Sequence, residues 1–276
     1  MLHNEDRFQS VGGIEIYYQS WRPEGEPKAV LVIIHGLGEH GGRYPHVVER
    51  LAPHGYAVYA MDLRGHGRSG EQRGHINSMD EIRSDVKTFL EIVQKKETGK
   101  PVFLLGHSLG GLIALDFVIH TPDGLKGVIA SAPVLMQTAV SPLLMVAAKV
   151  LSRLAPRFSM ETGLDATALS RDQAVVDAYR SDPLVHSKAT PRLGTEIPAS
   201  MAWTNAHLEE FKLPLLTIQG EADRIIPLDA SRVLFEKASS LDKQRITYEG
   251  GYHEPHNDIN HEQVVSDLEA WLEKHV

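Results

Sequence analysis

One pentapeptide limits what this chain can fold into more than any other stretch. Gly106-His107-Ser108-Leu109-Gly110, with Gly111 behind it, stands between a short apolar run at 102–105 and an apolar helical stretch at 112–119. A strand that turns straight into a helix in so few residues needs small neighbours, because the backbone folds back sharply. The turn pushes its central side chain outward, so Ser108 reads as a nucleophile standing at the end of a strand. The helix N-terminus aims amide donors and positive potential at the same place, which suits a developing oxyanion. The bland alternative is a glycine-rich turn with an incidental serine.

A strand of that kind belongs in a parallel sheet. Apolar runs at 30–34, 57–61, 102–105, 128–130 and 215–218 are unbroken rather than alternating, as in strands covered on both faces. Helical segments separate them. Residues 78–93 carry Met79, Ile82, Val86, Phe89, Leu90 and Val93 at helical spacing, and open on Ser78 and Glu81 in the S-x-x-E pattern of a capping box. A second stripe runs through Val264, Val265, Leu268, Trp271 and Leu272 within 262–274. This alternation predicts a doubly wound α/β fold, with a mostly parallel central sheet and helices on both faces. Residues 10–18, continuing to Trp21, read as a strand or hairpin added at one edge. Residues 134–213 break the alternation with helix-like stretches separated by prolines and glycines, and no convincing strand. They predict a helical cap inserted between two parts of one core, 1–133 and 214–276.

Bulk properties narrow the chemistry. At 276 residues and 42% apolar, the chain can bury a substantial core. A formal charge of −8 argues against nucleic acid and gives no electrostatic reason to bind anionic lipid. Without cysteine there are no disulfides, thiolates or Cys-ligated zinc, which suits a reducing cytoplasm. The polar, acidic stretch at 1–6 lacks the basic start and apolar stretch of a secretory signal. No segment reaches the roughly 18 apolar residues of a spanning helix. The expectation is a cytoplasmic chain, at most peripheral at membranes.

A serine nucleophile needs a base, and the base needs an orienting carboxylate; where the serine stands on a strand-to-helix turn of a doubly wound hydrolase, the order is serine, carboxylate, histidine, each behind a later strand. The run 215–219 leads into Gly220-Glu221-Ala222-Asp223-Arg224, which makes Asp223 the leading carboxylate, with Glu221 and Asp229 as alternatives. Residues 245–248 end in Glu249-Gly250-Gly251-Tyr252-His253, and His253 is the leading base, with His256 and His261 nearby. The second oxyanion donor is expected in the loop His35-Gly36-Leu37-Gly38-Glu39-His40-Gly41-Gly42-Arg43-Tyr44. The backbone N–H groups of Leu37 and Leu109 are assigned to the oxyanion hole. His35 reads as a brace for that loop. Asp62-Leu63-Arg64-Gly65-His66-Gly67-Arg68-Ser69 has neither three metal ligands nor a phosphate loop, so a turn held by Asp62 is expected and no metal or organic cofactor.

Taken together, His35-Gly36-x-Gly38-Glu39-His40-x-Gly42-Arg43-Tyr44, Gly106-His107-Ser108-x-Gly110-Gly111, Gly220-x-Ala222-Asp223-Arg224 and Glu249-Gly250-x-Tyr252-His253 resemble the monoacylglycerol lipases. Within the cap, Ala147-Ala148-Lys149-Val150-Leu151, Leu169-Ser170-Arg171 and Tyr179-Arg180-Ser181-Asp182-Pro183-Leu184 look like that family's lid segments. The likeness covers nearly the whole chain. It implies an α/β-hydrolase fold, the triad Ser108, Asp223 and His253, and hydrolysis of monoacylglycerols through an acyl-serine. It also implies that Glu39, Arg43, His107 and Tyr179 build the polar end of the pocket around the glycerol. A loop-bracing ion pair of Glu39 with Arg43, and a merely packed Tyr179, are the alternatives. Leucine at 37 and 109 departs from the animal enzymes, and backbone donors tolerate it. Lysophospholipases share the HGxGEH and GHSxGG patterns, so a lysophospholipase or general carboxylesterase is the competing reading. A non-catalytic ligand-binding member of the fold is the competitor from another class.

One cap segment is apolar on most faces. Residues 142–154 include Leu143, Leu144, Met145, Val146, Val150, Leu151 and Leu154. Such a helix is either buried or exposed for a purpose. It is expected to roof an acyl-chain tunnel and to touch membranes or micelles transiently, the alternative being an ordinary packed helix.

Overall fold

The computed structural model describes residues 1–136 and 142–276, with side chains outside 142–145. The chain opens on an antiparallel hairpin, β1 (Leu2–Gln9) and β2 (Glu15–Arg22). Next come β3 (Ala29–Ile34), α1 (Pro45–Leu51), β4 (Tyr56–Met61), α2 (Met79–Lys96), β5 (Val102–His107), α3 (Leu109–His120) and β6 (Gly127–Ser131). An inserted stretch holds α4 (Pro142–Leu154), β7 (Met160–Glu161), α5 (Gln173–Ser181), β8 (Lys188–Ala189) and α6 (Pro191–His207). The chain closes with β9 (Leu215–Gly220), α7 (Asp229–Lys237), β10 (Lys243–Tyr248) and α8 (His261–Glu273).

Eight strands form one sheet in the order β1-β2-β4-β3-β5-β6-β9-β10. From β4 to β10 every pairing is parallel; only the hairpin and its β2–β4 junction are antiparallel. The unbroken apolar runs follow from two covered faces. In β3, Val30, Val32 and Ile34 pack with Val86, Phe89, Leu112 and Leu234 of α2, α3 and α7. Ala29, Leu31 and Ile33 pack on the other side with Val47, Leu51, Leu268 and Trp271 of α1 and α8. Every residue between can therefore be apolar.

Three places depart from the sequence reading, each for a physical reason. The hairpin starts earlier than residue 10, and 10–14 is its turn, with Gly12 and Gly13 at φ 75° and 71°. Strand β1 is almost wholly exposed and so carries no apolar signal. The inserted stretch does contain a ladder, β7 with β8, but two residues a strand leave no periodicity to read. The capping box at Ser78 is half formed. Ser78 Oγ accepts the Glu81 N–H at 3.4 Å, whereas the Glu81 carboxylate turns to Asn77 N–H at 3.3 Å and Arg64 Nη1 at 2.5 Å. The charged partner outcompetes the backbone amide.

Residues 134–213 leave the core after β6 and return before β9, and those among them that the structure describes add no strand to the main sheet. Backbone bonds that seat them on it include His186 N–H to Gly38 O at 2.9 Å, Thr190 N–H to Gly74 O at 3.0 Å, and Glu254 N–H to Leu169 O at 2.8 Å. Of the apolar set at 142–154, Leu143, Leu144 and Met145 lie outside the described side chains. Val146, Val150 and Leu154 are exposed and recur every fourth residue on one stripe.

Candidate active site

Ser108 is the residue between β5 and α3, held at φ 54° and ψ −115°. Non-glycine residues avoid positive φ, so the neighbours must enforce it. They do. A Cβ at Gly106 would collide with the Gly110 backbone, and one at Gly110 with the Ile34 carbonyl; Gly111 lies against Pro133. Ser108 N–H is bonded to Ser131 O at 2.9 Å, and Ser108 O accepts from Gly111, Leu112 and Val134.

Asp223 and His253 arrive from the loops behind β9 and β10, at the same carboxyl edge of the sheet. His253 Nδ1–H donates to Asp223 Oδ2 at 2.9 Å, which leaves Nε2 to accept from Ser108 Oγ–H at 2.9 Å. Asp223 is itself fixed, since its Oδ1 accepts the N–H groups of Ile225 and Ile226 at 2.8 and 2.9 Å. Glu221 instead takes the Thr247 hydroxyl, and Asp229 pairs with Arg232. His261 bonds to Asp258 O, and His256 stacks on Tyr44 at 4.6 Å between ring centres. Of the alternatives, none reaches the serine.

The loop opposite is held from three directions. His35 Nδ1–H donates to Gly36 O at 2.7 Å while its Nε2 accepts Leu63 N–H at 2.8 Å, so His35 braces the loop. Glu39 Oε1 accepts Gly36 N–H at 2.6 Å, and His186 N–H holds Gly38 O. Gly38 needs its φ of 81°, and a Cβ there would meet His186 O at 2.5 Å. Among the described residues no hydrogen bond occupies the N–H of Leu37 or Leu109. Asp62 spans the neighbouring turn, accepting Gly41 N–H and Arg68 N–H at 2.8 Å each.

A cavity of about 290 Å³ opens over Ser108. Leu37, Leu109, Val134, Leu164, Leu169, Ile197, Ile225 and Ile226 give it an apolar wall, and Glu39, His107, Tyr179, His186 and Glu254 a polar end. Arg43 does not line it. Its guanidinium is taken up by Glu39 Oε2 at 2.9 Å and, bidentately, by Glu254 at 2.7 and 2.9 Å, with the Tyr179 ring 4.6 Å from its centre. Sequence reasoning missed Glu254, and its position immediately after His253 was the available signal.

Burial sets the charge states here. Desolvation pushes Glu39 upward, opposed by Arg43. Glu254 is just as buried, but the field and hydrogen bonds of Arg43 overcome desolvation and bring it down to about 2. Desolvation also holds His107 well below the usual histidine range and His256 down to about 3, so both are neutral at pH 7.

A hydroxyl, an imidazole and an orienting carboxylate in one chain, beside two free amides, can carry acyl transfer. Fold and site together define a serine hydrolase of the α/β-hydrolase class. The chain belongs to the family described as serine aminopeptidase, S33, whose model matches residues 25–260, and sits there beside monoacylglycerol lipases. It is 38% identical to a monoacylglycerol lipase of Mycolicibacterium smegmatis, over 99% of this chain and 98% of that one. A Bacillus subtilis phospholipase is 33% identical, over 93% of this chain and 99% of its own length. In structure, a monoacylglycerol lipase of Paleococcus ferrophilus superposes with a TM-score of 0.86 at 36% identity, covering 95% of this chain and 99% of that one.

Proposed function

We propose that this chain hydrolyses monoacylglycerols to glycerol and a fatty acid. The observation that carries the reading is the continuous chain from Ser108 through His253 to Asp223 at the mouth of an apolar cavity. His253 takes the Ser108 proton as Oγ attacks the ester carbonyl, and Asp223 stabilises the imidazolium. The Leu37 and Leu109 amides receive the oxyanion. The leaving glycerol takes the proton back, and water, activated by His253, cleaves the acyl-serine. Residues 134–213 serve as the cap that closes the acyl side.

The polar end favours an uncharged head group. Glu39 accepts three hydrogen bonds, from Gly36, Tyr44 and Arg43, and keeps one lone-pair direction for a glycerol hydroxyl. The described lining residues include no lysine or arginine, and Arg43 behind them is already paired with Glu39 and Glu254, so a phosphodiester there would find no counter-charge. The likeness to a phospholipase makes lysophospholipid hydrolysis the second reading. Rates on 1-acylglycerol, lysophosphatidylcholine, a p-nitrophenyl ester and an aminoacyl amide separate these. We expect the acylglycerol to lead lysophosphatidylcholine in kcat/KM by at least about tenfold, a difference of about 1.4 kcal/mol. A faster lysophospholipid or amide would overturn the assignment.

No helix among the described residues is long and apolar enough to cross a membrane. Val146, Val150 and Leu154 nevertheless form an exposed apolar stripe on α4, with Phe158 exposed beyond it. This supports transient contact with a lipid surface. Val150→Ser with Leu154→Ser is expected to weaken sedimentation with neutral phosphatidylcholine vesicles several-fold, leaving turnover of a dissolved short-chain ester unchanged. Equal vesicle binding by the two proteins would sink the idea.

A further inference from the structure

We propose that Glu254, clamped by Arg43, is a positioning residue for His253, and that one guanidinium aligns the base loop with the oxyanion loop. The inference rests on the reading of His253 as the base. His253 sits on an irregular segment: Gly250 has φ 64°, and the only regular turn before α8 is the short one at Pro255–Asn257. A ring carried on such a loop is only as well aimed as the loop is fixed, and aim within about 0.5 Å matters for catalysis. Glu254 is one peptide bond from that ring and is buried.

Its two oxygens accept from Arg43 Nη1 and Nη2 at 2.7 and 2.9 Å, and Oε2 also accepts from Asn257 Nδ2 at 3.0 Å. Its N–H is given to Leu169 O at 2.8 Å. Main chain and side chain are thus both pinned. A bidentate guanidinium–carboxylate pair fixes direction as well as distance. The same Arg43 Nη1 reaches Glu39 Oε2 at 2.9 Å, and Glu39 Oε1 holds Gly36 N–H, next to Leu37. One cation therefore ties the loop bearing the base to the loop bearing an oxyanion donor. Arg43 itself does not line the cavity: its guanidinium is spent on Glu39 and Glu254, and Tyr179 covers its face.

The test compares Glu254→Gln and Arg43→Lys with wild type on two esters, a 1-acylglycerol and a p-nitrophenyl acyl ester that lacks the glycerol. The rate of Ser108 labelling by a fluorophosphonate is measured alongside, and thermal melts check that each variant is folded. Positioning predicts that Glu254→Gln lowers kcat by about 10- to 100-fold on both esters by the same factor, with KM within about twofold. Labelling slows in parallel. Arg43→Lys keeps the charge but not the fork, so it also loses kcat on both esters; it carries the comparison if Glu254→Gln does not fold. A loss confined to the glycerol ester, with raised KM, would overturn the proposal in favour of direct head-group contact. So would unchanged rates and labelling in folded variants. If wild type cleaves neither ester, the monoacylglycerol reading fails, and the labelling rates still decide the positioning role.

Discussion

Ser108→Ala is expected to lower kcat on a 1-acylglycerol by about 10⁴- to 10⁶-fold, because among the described residues Ser108 Oγ is the hydroxyl bonded to His253 Nε2. The fold should survive. The hydrogen bonds that set the turn belong to the Ser108 backbone, and the close backbone approaches that permit its positive φ are made at Gly106, Gly110 and Gly111, where a Cβ would collide. Alanine changes neither. The side chain contributes one hydrogen bond, to His253, worth about 1 kcal/mol net. The melting temperature should therefore move by only a few degrees. Fluorophosphonate labelling should vanish with activity, while apolar ligands of the cavity still bind. Residual hydrolysis within tenfold of wild type would remove Ser108 from the mechanism.

How far the site was legible in the sequence follows from which interactions are local. Ser108 was readable because the glycines that allow its conformation are its neighbours in the chain. Asp223 and His253 were readable by order, each behind an apolar or part-apolar strand. For Arg43 only the pair with Glu39, four residues away, was readable from the sequence, and its clamp on Glu254 was not. Its partners are four and 211 positions away, and nothing in the spacing says that both carboxylates close on it. Glu254 reads as an ordinary loop glutamate until Arg43 is seen beside it. The parallel sheet was legible because both its faces are covered, and β1 was not, because all of it but Phe8 is exposed. The apolar wall drew Ile225 and Ile226 from the loop of Asp223, where two isoleucines look like packing.

Acidification should unfold this protein well before its carboxylates are neutralised. Desolvation holds His66 and His256 down to about 3, and burial keeps His35 and His107 well below the ordinary histidine range. All four are neutral in the folded protein, while in the unfolded chain each takes up a proton near pH 6.5. A depressed histidine favours folding above the unfolded value, and that contribution is lost as pH falls below about 6.5. The unfolded state then binds more protons than the native state, so stability rises with pH through this window. At pH 5 the penalty is about 2 kcal/mol for each group that stays neutral. Summed over four such groups, it reaches the scale of a domain's whole stability, roughly 5–15 kcal/mol. Glu254 adds to this at lower pH, since its folded value of about 2 lies below the unfolded one and its contribution fades below about 4.5. Denaturant midpoints between pH 8 and pH 5 should fall steeply, with proton uptake on unfolding approaching four near pH 5. His256→Phe, which keeps the stack on Tyr44 and removes one titrating ring, should flatten that slope by about one proton. A midpoint independent of pH from 8 to 5 would mean that these rings are not held neutral by the fold.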